Sequence, residues 1–533
     1  MKRLGISGAA RIFLASLLLV SGLSFTSMAA ANELVWGRPL PRNLDPHVAS
    51  DLPIFFISLN VYDSLYRYEG KSSDIQPWLV QNKTVSDDGK TWLFELRHGV
   101  KFHDGHEMTA DDVVYSFKRV LALGKSPASA FKGVLRPENV TKTGQYTVQF
   151  VLDESYAPFL ASLPLVSIVN AQLVQAHVAN DDWGQAWLSQ HDAGSGAYAF
   201  DTSTYAPNSR LDLTRFKDFF LGWADNPAAF DLVRARPVLD PTSRVLALLK
   251  GDIDISDEYL PVDQVEKVQQ SKLARVIIEL PLRILIIRMN NSKPPFDNLH
   301  FRRCLSYAFN YDGFIKDVQQ GYATRLTSPI PDGLWATPEH ISGYGYDLVK
   351  AKEECAQAKS EGAPTDRPIN VNFVSELPGT RQVAELLQSG AREVGVSLKV
   401  VPDTWSHVTA STGSAKTTPD MWVHFVSAYT VDPENWIGQM YGSKFAGTWK
   451  ASSWYHNQKV DTLLDQARGS LDQEKRKKLY GDAAQEIVSD AADIWVANLK
   501  QTQGVSKRVE GLRFTPVGGI SELRWAHPST EGQ

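Results

Sequence analysis

Apolar residues recur along this chain with two periods in turn, every second residue over short runs and every third or fourth over longer ones. Thr91-Trp92-Leu93-Phe94-Glu95-Leu96-Arg97 reads as a strand stopped by the turn at His98-Gly99. Thr109 then suits a helix N-cap, Asp111 and Asp112 fit the first turn, and Val113, Val114, Phe117 and Val120 follow at helical spacing. Residues 145–152 alternate as a strand, and 242–250 read as a helix ended by Gly251. The stretch 274–289 is rich in Ile, Leu, Val and Arg and is broken by Pro281, which predicts two strands. Residues 386–394 predict an amphipathic helix closed by Gly395, with a strand over 396–401. Strands and helices interleaved in this way predict mixed α/β lobes. No repeat, low-complexity tract or Pro/Gly/Ser-rich linker separates them, so chain crossings are expected to interweave the domains.

The pattern changes at the N-terminus. Lys2, Arg3 and Arg11 accompany an apolar run over 12–20, and small residues follow up to Ser27-Met28-Ala29-Ala30-Ala31. This is the layout of a secretory signal peptide, with cleavage expected after Ala29 or Ala31. The apolar run falls well short of the roughly 20 residues a membrane span needs. No Cys lies near the cleavage site to take a lipid, so a free periplasmic protein is expected.

Charge narrows the partners. The 533-residue chain carries −5, and removing 1–31 takes away Lys2, Arg3 and Arg11 but no acid, leaving about −8. That argues against nucleic acid and anionic membranes. The length suggests roughly three domains, and 43% apolar residues suffice for sizeable cores. Cys304 and Cys355 each fall in a helical pattern. A chain this large needs no staple, so two buried thiols are expected in preference to a bridge.

Catalytic and metal motifs are missing. There is no Gly-x-Ser-x-Gly elbow, phosphate loop, His-Glu-x-x-His or Cys-x-x-Cys. His103-Asp104-Gly105-His106-Glu107 has metal-ligating residue types, but Asp104-Gly105 reads as a tight turn with solvated polar side chains. Lys475-Arg476-Lys477-Lys478, flanked by Asp472 and Glu474, reads as a solvated helix face. No catalytic residue, metal or cofactor is expected.

Several ordered blocks carry a resemblance. They begin with Leu44-Asp45-Pro46-His47 and Asn60-Val61-Tyr62-Asp63-Ser64-Leu65-Tyr66, and continue through Trp92 to Gly105 and Met108 to Arg119. Gly194-Ser195-Gly196-Ala197-Tyr198, Leu248 to Asp254, Pro295-Phe296-Asp297 to Asn310, and Val431-Asp432-Pro433-Glu434-Asn435-Trp436 follow. Together they resemble the extracellular solute-binding proteins of the oligopeptide, dipeptide and nickel importer class, family 5. The resemblance implies an α/β, periplasmic-binding-protein type II-like fold: two lobes with a hinge plus an additional α/β domain. Lobe I would comprise 32–70, 192–287 and 504–533, the extra domain 71–191, and lobe II 288–503. Crossings would lie near 287–290 and 499–503. The implied role is capture of a small solute, foremost a di- or oligopeptide, by hinge closure, as a monomer that delivers to an ABC permease in the inner membrane. An opine, glycoside or metal chelate is the alternative ligand.

The resemblance also points to residues. Peptide-binding members place an Arg near a second-lobe helix start to meet a carboxylate, and Arg381 stands there. They place an Asp just before the Asp-Pro step to meet the α-ammonium, and here that position is Tyr429. Tyr429 offers a ring face and a neutral hydroxyl, a cation–π partner worth about 0.5–2 kcal/mol. Asp432 could substitute, although its place before Pro433 suits a turn. Trp405 and Tyr429 stand out from an aromatic set that also includes Trp422, Phe425, Trp436, Tyr441, Trp449, Trp454 and Tyr455. The expected ligand-binding residues are therefore Arg381, Trp405, Tyr429 and Asp432.

Overall fold

The computed structural model describes residues 32–48, 52–70, 73–207, 209–517 and 519–530, so the expected signal peptide lies outside the described residues. The first strand, Glu33–Gly37, runs parallel to Leu232–Arg236. The latter pairs with Leu211–Arg215, and Tyr198–Phe200 completes a four-stranded sheet. A second four-stranded sheet, entirely antiparallel, orders Val80–Val85, Thr91–Leu96, Thr147–Val151 and Val140–Gly144. The helix Ala110–Leu123 packs against it.

That helix starts and stops for local reasons. The Thr109 side chain accepts from the Asp111 N–H at 3.3 Å, and Asp112 Oδ2 accepts from the Thr109 N–H at 2.8 Å. At the other end Gly124 takes the left-handed conformation, φ 58°. The two sheets share one apolar core containing Leu34, Trp36, Leu213, Phe94, Phe117 and Phe150. The layer that the resemblance sets apart as an extra domain is thus fused to the first sheet by shared burial.

A six-stranded mixed sheet organises the rest, in the order Ala323–Arg325, Asp493–Leu499, Arg283–Met289, Met421–Ser427, Ile369–Val374, Leu398–Asp403. Both faces are covered. Leu285, Ile287, Met289, Val423 and Ile494 bury on one face, while Ile284, Ile286, Val426 and Trp495 bury on the other. This explains why Ile284, Leu285, Ile286 and Ile287 form an unbroken apolar run within Arg283–Met289.

Between the sheets, Ala274–Glu279 pairs antiparallel with Gln501–Ser506. The chain therefore passes to the six-stranded sheet over 280–282 and returns at Lys500. The first crossing was expected at 287–290. All seven residues of Arg283–Met289 instead sit in the six-stranded sheet, because the apolar run that forms the strand does not specify its pairing partner.

Cys304 and Cys355 form a disulfide, with Cα atoms 5.2 Å apart, and the expectation of two buried thiols is corrected. It joins the neighbouring helices Leu299–Ala308 and Leu348–Ser360. Their packing places the two sulfurs together, a proximity that neither helix encodes locally. The helix expected over 386–394 begins earlier, at Thr380, whose hydroxyl donates to the Val374 and Leu377 carbonyls at 2.8 Å each.

Candidate functional site

Strand ends from both sheets converge on a cavity of about 360 Å³. Arg38 follows Glu33–Gly37, and Asp257 to Tyr259 follow Ile255, which bridges Trp36 in parallel. From the opposite side, Glu376 follows Ile369–Val374, Trp405 follows Leu398–Asp403, and Tyr429 lies just beyond Met421–Ser427. Residues just past the carboxyl ends of strands are free of ladder pairing and can face a crevice, the usual place for a ligand in open α/β sheets.

Aromatic rings form much of the wall. Tyr429 stacks on Phe55, from the helix Leu52–Val61, with centroids 5.9 Å apart and planes at 29°. Trp405 packs edge-on against Trp449 at 5.1 Å. Charge is concentrated on the first-sheet side. Arg38 and Glu258 are both buried and pair at 3.2 Å, with the guanidinium over Phe56 at 4.4 Å and Trp36 at 5.0 Å. Asp257 pairs with Arg244 at 2.7 Å. Burial nevertheless pushes the Asp257 carboxyl up to about 6, a rise Arg244 only partly opposes. Across the cavity, the exposed Glu376 carboxylate accepts from the Trp405 N–H at 3.2 Å. Arg283 lies beneath the Ser427 edge, where its Nε donates to Ser427 Oγ at 3.2 Å and its guanidinium sits 5.0 Å from the Tyr259 ring centroid.

The structure separates the four expected residues. Trp405 and Tyr429 line the cavity. Arg381 does not: its Nε donates to Glu385 at 2.8 Å, one turn away, and its side chain is 67% exposed. Asp432 also points elsewhere. It is buried and accepts from Arg476 Nη2 through both oxygens at 2.8 Å, while Oδ1 takes the Glu434 N–H at 3.0 Å. Glu434 pairs in turn with Arg468 at 2.8 Å. The Asp-Pro loop is thus braced against the helices Gln458–Gly469 and Gln473–Ser489.

Two further expectations change in the folded chain. Arg476 is buried, so the basic run is not wholly a solvated face. His103 is not a solvated turn residue. Its Nδ1 lies 2.9 Å from both Asp192 oxygens and its Nε2 lies 3.0 Å from the Gly196 carbonyl. Burial alone would lower its pKa, but the Asp192 charge and hydrogen bond outweigh it, and the net shift is upward. Among the described residues, no three His, Cys, Asp or Glu side chains are grouped to hold a metal.

The sequence blocks prove structural. Asp45 takes the buried Arg119 at 2.6 and 2.8 Å, and the same guanidinium lies 3.0 Å from His47 Nδ1. A Cβ at Gly194 would meet the Val61 carbonyl oxygen at 2.1 Å, and one at Gly196 would meet the Val61 carbonyl carbon at 2.5 Å. Glycine is required at both positions by close backbone approach. Trp422, Trp436 and Tyr441 are core, and His424, stacked on Trp422 at 3.8 Å, is held neutral by burial. Arg38, Phe55, Asp257, Glu258 and Glu376 escaped the sequence reading. Arg38 and Glu376 lie one and two residues beyond the strands Glu33–Gly37 and Ile369–Val374, and Asp257 and Glu258 two and three beyond Ile255. Strand ends are the signal that could have found these four, whereas Phe55 sits on the helix Leu52–Val61 and carries no such signal.

A cavity closed by strand ends of two sheets, which two crossings join, defines a two-lobed solute-binding protein. The model for bacterial extracellular solute-binding proteins, family 5 Middle, matches residues 74–448, and the chain belongs to that family. The chain is 29% identical over 513 residues to the probable D,D-dipeptide-binding periplasmic protein DdpA of Escherichia coli, covering 94% of this chain and 96% of the relative. It is 29% identical over 537 residues to the dipeptide-binding protein of the same organism, with the same coverages. Among solved structures, it resembles the periplasmic binding protein DppA of Helicobacter pylori in complex with the peptide STSA. The TM-score there is 0.79 at 24% identity, covering 93% of this chain and 98% of that one. The dipeptide-binding protein of Pseudoalteromonas sp. SM9913 in complex with Met-Leu gives 0.81 at 23%, covering 93% and 100%. These likenesses show the expected α/β, type II periplasmic-binding-protein fold. Among the described residues, no helix is long and apolar enough to cross a membrane.

Proposed function

We propose that this chain is the periplasmic receptor of an ABC importer, exported by a signal peptide cleaved after Ala29 or Ala31, and that it captures di- or oligopeptides without turning them over. The observation that carries the reading is the cavity between the two sheets, with aromatic walls from one side and a buried Arg38–Glu258 pair from the other. Strand ends supply backbone groups for an extended peptide, and rings accommodate side chains of varied chemistry. The names of two relatives, both binders of dipeptides, point the same way. Trp405 and Tyr429 are the residues assigned to ligand contact. Arg381 and Asp432 are left out because Glu385 and Arg476 already hold them.

Thermal-shift screening of the purified chain against di- to pentapeptides, opines, oligosaccharides and nickel chelates tests this. A peptide at 100 times its Kd should stabilise by about 2.7 kcal/mol. Trp405→Ala and Tyr429→Ala should each weaken that peptide at least tenfold. A panel in which no peptide raises Tm while another class does would overturn the peptide reading.

A further inference from the structure

Tyr429 also lines a second cavity, of about 370 Å³, so its ring is a wall common to both. The second cavity lies between the segment around Lys125, Ser126 and Ser129 and the segment that carries Thr448, Trp449 and Lys450. Its charged lining is cationic, Lys125 at the rim and Lys450 within, and among the described residues no carboxylate lines it. The first cavity has the opposite bias, with Asp257, Glu258 and Glu376 against Arg38.

Lys450 is the unusual group. Its side chain is 9% exposed, yet Nζ reaches neutral acceptors only, Gln439 Oε1 at 2.6 Å and Asn435 Oδ1 at 2.8 Å, and sits 4.6 Å from the Tyr429 ring centroid. Most other buried cations are matched by carboxylates, among them Arg38 by Glu258, Arg119 by Asp45, Arg288 by Asp493 and Arg476 by Asp432. Arg283 and Arg302 rest on neutral oxygens, and Lys450 is the one lysine among the buried residues described. The nearby Glu434 is bonded to Arg468 through Oε1 and acts on Lys450 only through space. An ammonium taken out of water is costly without a countercharge. Burial accordingly pushes Lys450 down to about 7, against an upward pull from Glu434. A carboxylate brought into the cavity would restore the missing countercharge, and the Ser126 and Thr448 hydroxyls can donate to complete its hydrogen bonding, while the Ser129 hydroxyl already donates to the Ser126 carbonyl.

We propose that the second cavity is a subsite for a ligand carboxylate, held by Lys450, so that a zwitterionic ligand lies across Tyr429 with its anionic end at Lys450 and its cationic end toward the acidic first cavity. This rests on the peptide reading only for the identity of the ligand. The carboxylate could be a peptide's C-terminus or an acidic side chain, and matched probes distinguish the two.

Calorimetric titration of the mature chain with Ala-Glu and Ala-Gln, each free and C-terminally amidated, provides the test. Wild type should bind the carboxylate-bearing member of one matched pair at least tenfold tighter. The free-against-amide pair reports the C-terminus and the Glu-against-Gln pair the side chain. Lys450→Met should cut that preference below threefold while leaving the neutral probe within twofold. Lys450→Arg should retain it, and the apo Tm of each variant checks folding. A preference that persists in Lys450→Met, or one absent from wild type, overturns the subsite. Should no peptide bind wild type, the peptide reading fails and the dicarboxylate glutarate decides the subsite alone. A Tm increase in wild type that Lys450→Met lacks supports the subsite, and no increase overturns it.

Discussion

Replacing Asp432 with Asn distinguishes a structural from a ligand-binding role for the Asp-Pro loop. In the wild type, side chains only 4% and 8% exposed hold the Asp432–Arg476 pair, with both carboxylate oxygens 2.8 Å from Arg476 Nη2. The guanidinium is enclosed by Trp335, 5.1 Å to the ring centroid, and by Tyr480 at 5.6 Å. Asn preserves the volume and an oxygen for the Glu434 N–H, but leaves Arg476 a buried cation without its countercharge. Breaking one side of a buried pair costs about 3–5 kcal/mol. The retained oxygen places this variant near the lower end, at about 3 kcal/mol. At roughly 2–4 °C per kcal/mol for a unit of 150–250 residues, Tm should fall by about 10 °C. Urea denaturation followed by circular dichroism measures the loss, and calorimetry on the same samples measures peptide affinity. Adding Arg476→Met should recover part of the stability, since it removes the buried cation left without a countercharge. An Asp432→Asn chain with unchanged Tm and a tenfold loss of peptide affinity would refute the reasoning and return Asp432 to the ligand.

Two further outcomes are expected. His47 is wholly buried, with Nε2 2.7 Å from the Ser167 carbonyl, and burial lowers its pKa from 6.5 to about 4, with Arg119 adding to the effect. The unfolded chain therefore takes up this proton before the folded one does, so stability is fully present above about pH 6.5 and declines toward pH 4, by about 3 kcal/mol for this one group. The Tm–pH profile of His47→Gln should be flatter over that window, and an unchanged slope would exclude His47 as its source. Gly390→Ala should destabilise by about 1–3 kcal/mol, because its Cβ would lie 1.9 Å from the Ala308 carbonyl oxygen and push the helix Thr380–Glu393 off Leu299–Ala308. A variant with wild-type Tm would show that the helices separate freely.

Local chemistry made much of this chain legible before its fold was seen. The helix Ala110–Leu123 was readable from Thr109, Asp111, Asp112 and the spacing of Val113, Phe117 and Val120, because caps and periodicity act within a few residues. The same holds for Thr91–Leu96 and for the break at Pro281 between Ala274–Glu279 and Arg283–Met289. The ordered blocks pointed to the family as sequence, although the demands some of them meet are long-range, such as glycine at 194 and 196 against the Val61 backbone. What the tertiary structure alone decided were the long-range pairings. Arg283–Met289 had to find Met421–Ser427 and Asp493–Leu499 before its sheet was settled. Cys304 had to meet Cys355 across two helices, and Arg38 had to meet Glu258 across 220 positions of sequence. Asp432 and Lys450 carry charges that the sequence displays equally. The fold gives one a buried arginine and the other only neutral acceptors, because the countercharge of a buried group is set by which distant segments pack around it.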